Sequence, residues 1–286
     1  MIYVCLTHDI DRIDKTYQYI TKPLRALKTG DIKLFLKRAF SPFYVRHPYW
    51  GFDKIMQIEE KYGVRSTCFF LKESIKFDIT KPKEWKLSLG RYDIHDKRIV
   101  KIIKELDKGG WEIGVHGSFR SNNDYDLLKK EKDTLEEIVG HEVIGIRQHY
   151  LNFADNTFEI HNKAGFKYDS TWGLTKGIGF KDGKIKPFFP IEGSTYCEIP
   201  MTIMDGPFAS TPNKWEEFER IISIVDKNEA FLVINYHNCN LDRLDFPSYE
   251  EDYCKMIDIL KEKGSFFMTM SQAYDIIINQ IKKVSD

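Results

Sequence analysis

Five places along this chain put ionisable side chains directly after short apolar runs. Thr7-His8-Asp9-Ile10-Asp11 follows the run at 3–6, and His116-Gly117-Ser118 follows the run at 111–115. Arg147-Gln148-His149-Tyr150 closes the run at 143–147, Asp169-Ser170-Thr171-Trp172 lies around 168–170, and His237-Asn238-Cys239 follows 231–236. Carboxylates with imidazoles are the donor set of a catalytic divalent cation, and the same two groups make acid–base pairs. Each place alone also has a structural reading. Asp9 and Asp11 suit a helix N-cap or an Asx-turn. A lone histidine is more often structural than catalytic, and Arg147 at the end of an apolar strand needs a buried partner. Convergence of all five on one rim favours a chemical site. A cysteine–histidine nucleophile is the weaker alternative, because Cys239 shares a face with His237 only if the strand runs on.

The elements that must position these groups are strands alternating with helices. Apolar runs at 3–6, 66–71, 111–115, 143–147, 168–170, 197–204, 231–236 and 266–270 read as strands. Several are continuous rather than alternating, as expected of strands buried on both faces. Between them, Ile99, Ile102, Ile103 and Leu106 share one helical face, and Leu128, Leu135 and Ile138 share another. Glycines at 109–110, 140, 165 and 264 punctuate helix ends. Strand–helix alternation means parallel strands with right-handed crossovers. About eight such units favour a barrel over an open sheet, with its chemistry at the C-terminal strand ends. One domain over 1–286 is expected, with a basic helical insertion at about 12–49 and an irregular stretch at 173–196. The stretch 15–46 holds Lys15, Lys22, Arg25, Lys28, Lys33, Lys37, Arg38 and Arg46 against Asp31 alone. Its plain reading is a solvated helical face; the other is peripheral contact with an anionic membrane surface. His47, His95, His141 and His161 fall in helix or loop contexts and are expected at the surface.

Bulk properties narrow the partners. Lys+Arg and Asp+Glu are 43 each, so no global field attracts nucleic acid. Five cysteines with no C-x-x-C pair argue against a disulfide framework and a zinc ribbon. No window of about 18 apolar residues spans a membrane. The chain begins on an apolar strand without signal-peptide features, so a cytoplasmic protein is expected.

The order and spacing of these groups resemble the NodB-homology polysaccharide deacetylases, carbohydrate esterase family four, over nearly the whole chain. The resemblance implies an incomplete or distorted parallel (β/α) barrel. It implies Asp9 as catalytic base and Asp11 as metal ligand, in an Asp-x-Asp first motif. His116 matches the first histidine of the family's His-x-x-x-His motif. Arg147 and Tyr150 match the third motif, Asp169 and Trp172 the fourth, and Val233-Ile234-Asn235-Tyr236-His237 the fifth, ending in the catalytic acid. Two positions depart from the pattern: Arg120 stands where the second metal histidine belongs, and His149 replaces a proline.

On this reading a divalent ion, zinc being the expected one, activates water and polarises an amide carbonyl. Asp9 takes the water's proton and Arg147 holds Asp9 ionised. The Tyr150 N–H serves the oxyanion. His237 protonates the leaving nitrogen, with Asp169 fixing its tautomer. A guanidinium has no lone pair for a cation. The expected ligands are therefore Asp11, His116 and His149, with Arg120 turned to substrate or a neighbouring carboxylate and Trp172 contacting substrate. The expected function is deacetylation of an N-acetylated sugar unit in cytoplasmic glycan or surface-polysaccharide precursor metabolism. The alternative is a catalytically inactive carbohydrate-binding protein on the same fold. A two-carboxylate glycosidase ranks last, because Asp9 and Asp11 share one short turn and cannot flank a glycosidic bond.

Overall fold

Nine short strands, β1 Tyr3–Ile10, β2 Thr67–Leu71, β3 Glu112–Gly117, β4 Gly145–Gln148, β5 Tyr168–Asp169, β6 Cys197–Glu198, β7 Ile203–Met204, β8 Phe231–His237 and β9 Phe266–Met268, form one parallel sheet. The computed structural model describes residues 1–285. The helices are α1 Gln18–Lys28, α2 Ile32–Phe40, α3 Phe52–Tyr62, α4 Trp85–Ser88, α5 Lys97–Lys108, α6 Tyr125–Val139, α7 Thr157–Lys163, α8 Asp205–Ser210, α9 Lys214–Asn228, α10 Tyr249–Glu262 and α11 Met270–Ser285. Among the described residues no helix is long and apolar enough to cross a membrane.

The sheet runs β6-β5-β4-β3-β2-β1-β8-β7. β1 lies at its centre, paired with β8 from Tyr3 to Asp9. Its other edge is shared: β9 takes Tyr3–Cys5 and β2 takes Thr7–Ile10. The reading of 197–204 as a single strand is corrected here. Pro200 has no N–H for a ladder, and the run splits into β6 and β7, which are the two ends of the sheet. Five Cα steps separate Glu198 from Ile203, so these edges lie within about 18 Å. In the gap the Met201 N–H donates to Trp172 O (3.1 Å) and the Thr202 N–H to Val233 O (3.0 Å). The sheet therefore curls into a distorted, incomplete (β/α) barrel, its seam bridged by an irregular segment.

Alternation along the strands sorts the side chains. Leu6, Ile10, Phe70, Ile113, Val115, Ile146 and Leu232 point outward into two cores shared with the helices. Cys5, Phe69, Tyr168 and Val233 point inward and meet Met270, Ala273, Tyr274 and Ile277 at the start of α11. Inward Gly114 and Gly145 leave the space that the Phe69 and Tyr168 rings fill. Above this apolar floor, the next inward positions on β1, β8, β3 and β4 are polar, so the strand period itself stacks the chemical groups on a dry base. The surrounding helices are fixed by ordinary signals. Asp96 caps α5 and Asp124 caps α6, while left-handed Gly140 ends α6. Between residues 12 and 49 the chain forms α1 and α2, which pack on one another.

Candidate active site

Arg147 is fully buried. Its guanidinium lies over the Phe69 ring at 4.6 Å from the centroid. Nη1 donates to Thr7 Oγ1 (2.8 Å), Asn235 Oδ1 (2.8 Å) and Asp9 Oδ1 (3.0 Å). Nε and Nη2 donate to the backbone oxygen and hydroxyl of Ser170, both at 2.9 Å. Asn235 Nδ2 donates to the other Asp9 oxygen at 2.8 Å. Asp9 thus has both oxygens engaged. Burial pushes its carboxyl up, but Arg147, His116 and His237 together hold it below its ordinary value.

His237 stands beside it. Asp9 and His237 are register partners on adjacent parallel strands, so both side chains face inward. The sequence assigned Asp169 to orient His237, and the structure corrects this. Asp205, the first residue of α8 after β7, holds His237 Nδ1 at 3.0 Å and accepts from the His237 N–H at 2.8 Å. Burial opposes charge on the ring, yet Asp205, helped by Asp11 and Asp9, raises its pKa to about 10. Asp169 instead pairs with His161 Nδ1 at 3.1 Å and accepts from Thr171 and from Tyr196. His161 is consequently fully buried rather than at the surface. The reason is topological: Asp169 ends β5, and the helix packed there is α7, which carries His161. β8 has β7 and α8 as its neighbours.

One layer higher, Asp11, His116 and His149 offer ligand atoms all within 4.8 Å of one another. His116 Nδ1 is 2.8 Å from the Arg147 carbonyl, so it carries the proton, and Nε2 presents its lone pair to Asp11 Oδ1 at 3.3 Å. His149 turns Nδ1 toward Glu73 Oε2 and Nε2 toward Asp11 Oδ1, both at 3.5 Å. An oxygen stands behind each Nδ1, hydrogen-bonded at His116 and at ion-pair distance only at His149, and both Nε2 atoms face Asp11, which matches the outer-shell pattern of metal-bound imidazoles. Asp11 Oδ1 is buried and lacks a hydrogen-bond donor, as suits an oxygen reserved for a cation. These three residues fit a divalent ion. His149 is followed by Tyr150 and Leu151, which both take left-handed backbone, φ 62° and 49°. That conformation costs of order 1–2 kcal/mol per residue and is concentrated at functional sites.

Arg91, from the irregular stretch between α4 and α5, enters the same space. Nη1 is 3.4 Å from Asp11 Oδ2 and Nη2 is 2.9 Å from His149 Nε2. Burial disfavours charge on His149, while Asp11 and Glu73 pull its pKa above the ordinary value. With Arg91 donating at Nε2 the ring is instead a neutral acceptor, its proton on Nδ1 toward Glu73. Burial likewise pushes Asp11 up, but His149, His116 and Arg91 hold it well below the carboxylate range.

The remaining expected residues lie further out. Arg120 is exposed and donates to Glu84 Oε1 at 2.6 Å, away from Asp11. The Trp172 indole packs among Phe153, Phe158 and Phe188, with Lys181 over its face at 4.1 Å. The Tyr150 ring lies on His149 at 4.3 Å and is half exposed. Sequence reasoning missed Asn235, Asp205, Glu73 and Arg91. Asn235 was findable, two residues before His237 on one strand face. So were Asp205 and Glu73, which follow apolar runs as the recognised groups do. Arg91 carries no such signal.

No family profile and no curated protein sequence matches the chain. Solved structures do. A protein assigned as a polysaccharide deacetylase from Mycobacterium smegmatis superposes with TM-score 0.58 at 18% identity, covering 98% of this chain and 91% of that one. Another so assigned, from Pseudomonas aeruginosa PAO1, gives 0.59 at 13% identity over 96% and 90%. The chain has the polysaccharide-deacetylase fold. A 4-alpha-glucanotransferase from Thermococcus litoralis also superposes, with TM-score 0.55 over 96% of this chain and 40% of that one. Likeness at these identities shows the fold alone, so function must be argued from the site.

Proposed function

We propose that this protein is a metal-dependent deacetylase that hydrolyses the amide of an N-acetylated sugar unit. The observation that carries the reading is the pairing of Asp9 with His237. They are register partners with opposite proton preferences, a carboxylate held ionised and an imidazolium held charged, beside a three-ligand cluster. Two environments that push two titratable groups apart assign a base and an acid.

Asp11, His116 and His149 would hold the ion. Two nitrogens and one oxygen match the three protein ligands of catalytic zinc sites. When bound, a divalent ion there supplies Lewis acidity for the carbonyl and lowers the pKa of water. Asp9 accepts the proton of the attacking water, with Arg147 and Asn235 fixing the carboxylate's direction. The Tyr150 N–H donates to the carbonyl oxygen as it becomes an oxyanion. His237 Nε2 gives its proton to the amide nitrogen as the C–N bond breaks, while Nδ1 stays on Asp205. Acetate and a free amine leave, and solvent restores both proton states. Arg120 and Trp172 remain the proposed substrate contacts at the rim.

One observation favours the second reading, a carbohydrate-binding protein without hydrolysis: the Arg91 guanidinium stands against two of the three ligands. The test is acetate release from nucleotide-linked, lipid-linked and oligomeric N-acetyl sugars by zinc-loaded protein. Release that stops with chelator or with Asp9→Asn supports the deacetylase. No release across the panel from protein carrying one ion per chain removes it in favour of the binder.

A further inference from the structure

We propose that the α1–α2 hairpin is a docking surface for an anionic lipid bilayer. The inference is independent of the deacetylase reading, since it rests on a surface outside the site.

The hairpin has two different faces. Its inner face is bolted to the loop after β8. Lys15 Nζ lies 2.8 Å and Arg38 Nε 3.2 Å from the buried Asp245 carboxylate, and Arg38 also donates to Leu244 O at 3.2 Å. Lys22 sits 3.7 Å over the Phe246 ring. Each helix also carries an exposed apolar stripe. Ile20, Leu24 and Leu27 recur at i, i+4, i+7 on α1, and Ile32, Leu36 and Phe40 at i, i+4, i+8 on α2. All six are exposed, at 44–66%. Residues 20–44 hold eight of the sixteen exposed large hydrophobic side chains among the described residues. Scattered exposed apolar residues need no explanation, but a contiguous patch rimmed by polar groups marks an interaction surface.

The rim identifies the partner. Leu24 is followed by Arg25, Leu27 by Lys28, Ile32 by Lys33 and Leu36 by Lys37, all four cations exposed. One step along a helix is about 100°, so on each helix a stripe of cations runs beside the apolar stripe. Asp31, the single acid at 15–46, is used on the Leu34 N–H at 2.8 Å to cap α2. The chain as a whole has no net charge, so this cation density is local. A two-fold contact with a second copy would set these cations against themselves. An apolar stripe bordered by Lys and Arg instead fits the headgroup–acyl boundary of an anionic leaflet, with long cationic stems reaching to phosphates. The hairpin leaves the C-terminal end of β1 and is tied to the loop that follows His237, so docking would bring the rim of the barrel that carries the site toward the lipid surface.

The test is co-sedimentation of the full chain with sucrose-loaded vesicles, either phosphatidylcholine alone or with about 30% phosphatidylglycerol. Binding to the anionic vesicles should be at least about tenfold tighter than to the neutral ones and should weaken in high salt. Leu24→Glu/Leu36→Glu and Lys33→Glu/Lys37→Glu alter only exposed positions. Each should abolish binding while thermal unfolding and zinc uptake stay unchanged. Protein that remains in the supernatant with anionic vesicles at low salt overturns the proposal. So does binding retained by either variant, or light scattering that shows a dimer dissolved by Leu24→Glu/Leu36→Glu.

Discussion

Replacing Asp205 by asparagine removes one charge from behind His237 and keeps the shape of the site. In the native protein His237 Nδ1 lies 3.0 Å from Oδ1, and Oδ2 accepts from the His237 N–H and from Asn240 Nδ2 at 2.8 Å each. A unit charge pair at this separation and an effective dielectric near 20 interacts by roughly 5 kcal/mol, or about four pH units. Asparagine keeps one hydrogen bond, and 21% of the His237 side chain is open to water. A fall of about two units is therefore expected. Imidazole nitrogen NMR on the metal-free protein reads it directly, with His237→Gln assigning the resonance among eight histidines. His237 should titrate near 10 in the native chain and near about 8 in the variant. Because the acid acts in its protonated form, the alkaline limb of kcat/KM must move to lower pH in the same direction. A native His237 that titrates near its ordinary 6.5, or a value unmoved by Asp205→Asn, refutes the assignment of Asp205 and the acid role built on it.

Other perturbations separate the remaining roles. Asp9→Asn and His237→Ala should each lower acetate release by at least about a hundredfold with circular dichroism unchanged; retained turnover removes that residue from its role. Asp169→Asn should leave the His237 titration where it is, because its partner is His161; a shifted His237 would reinstate the sequence assignment. Arg147→Met leaves the Asp9 carboxylate buried without its cation and should cost about 3–5 kcal/mol in urea unfolding at neutral pH. Asp9 has a depressed pKa, so its stabilisation is present above the unfolded value of 3.8 and fades as pH falls through the folded one. The deficit of Arg147→Met should accordingly shrink in acid, and a deficit constant with pH would separate Arg147 from Asp9. Arg91→Ala should tighten zinc about tenfold or more in competition with a chromophoric chelator, since a like charge leaves the ligands; unchanged affinity would mean that Arg91 swings clear without cost.

Strand ends were legible because a buried parallel strand is a continuous apolar run and its first polar residue stands out. Asp9, His116, Arg147 and His237 were found in this way, and the barrel places all four on one rim. Asp11 and His149 lie just beyond strand ends and share that layer. Pairing between side chains was less legible, because it depends on which strands become neighbours. Asp169 and His237 both end strands, yet β5 and β8 lie far apart in the sheet order, and the chain gives no local hint that β7 intervenes beside β8. The seam was hidden for a similar reason. The run at 197–204 looks like one strand, and Pro200 alone records that it serves two sheet edges. His161 has helical neighbours that look like surface, and only the burial of α7 against β5 turns it inward. Arg91 belongs to no periodic segment, so its place among the ligands follows from tertiary folding alone.

Anomalous scattering at the zinc edge, from crystals of the full chain with one equivalent of zinc, shows whether Asp11, His116 and His149 hold an ion. One peak is expected at about 2.0–2.1 Å from Nε2 of His116 and of His149 and about 2.0–2.2 Å from an Asp11 oxygen, with the Arg91 guanidinium moved off His149. A peak bound without His149, or an Arg91 still seated against Asp11 and His149 with no peak between them, would contradict that ligand set.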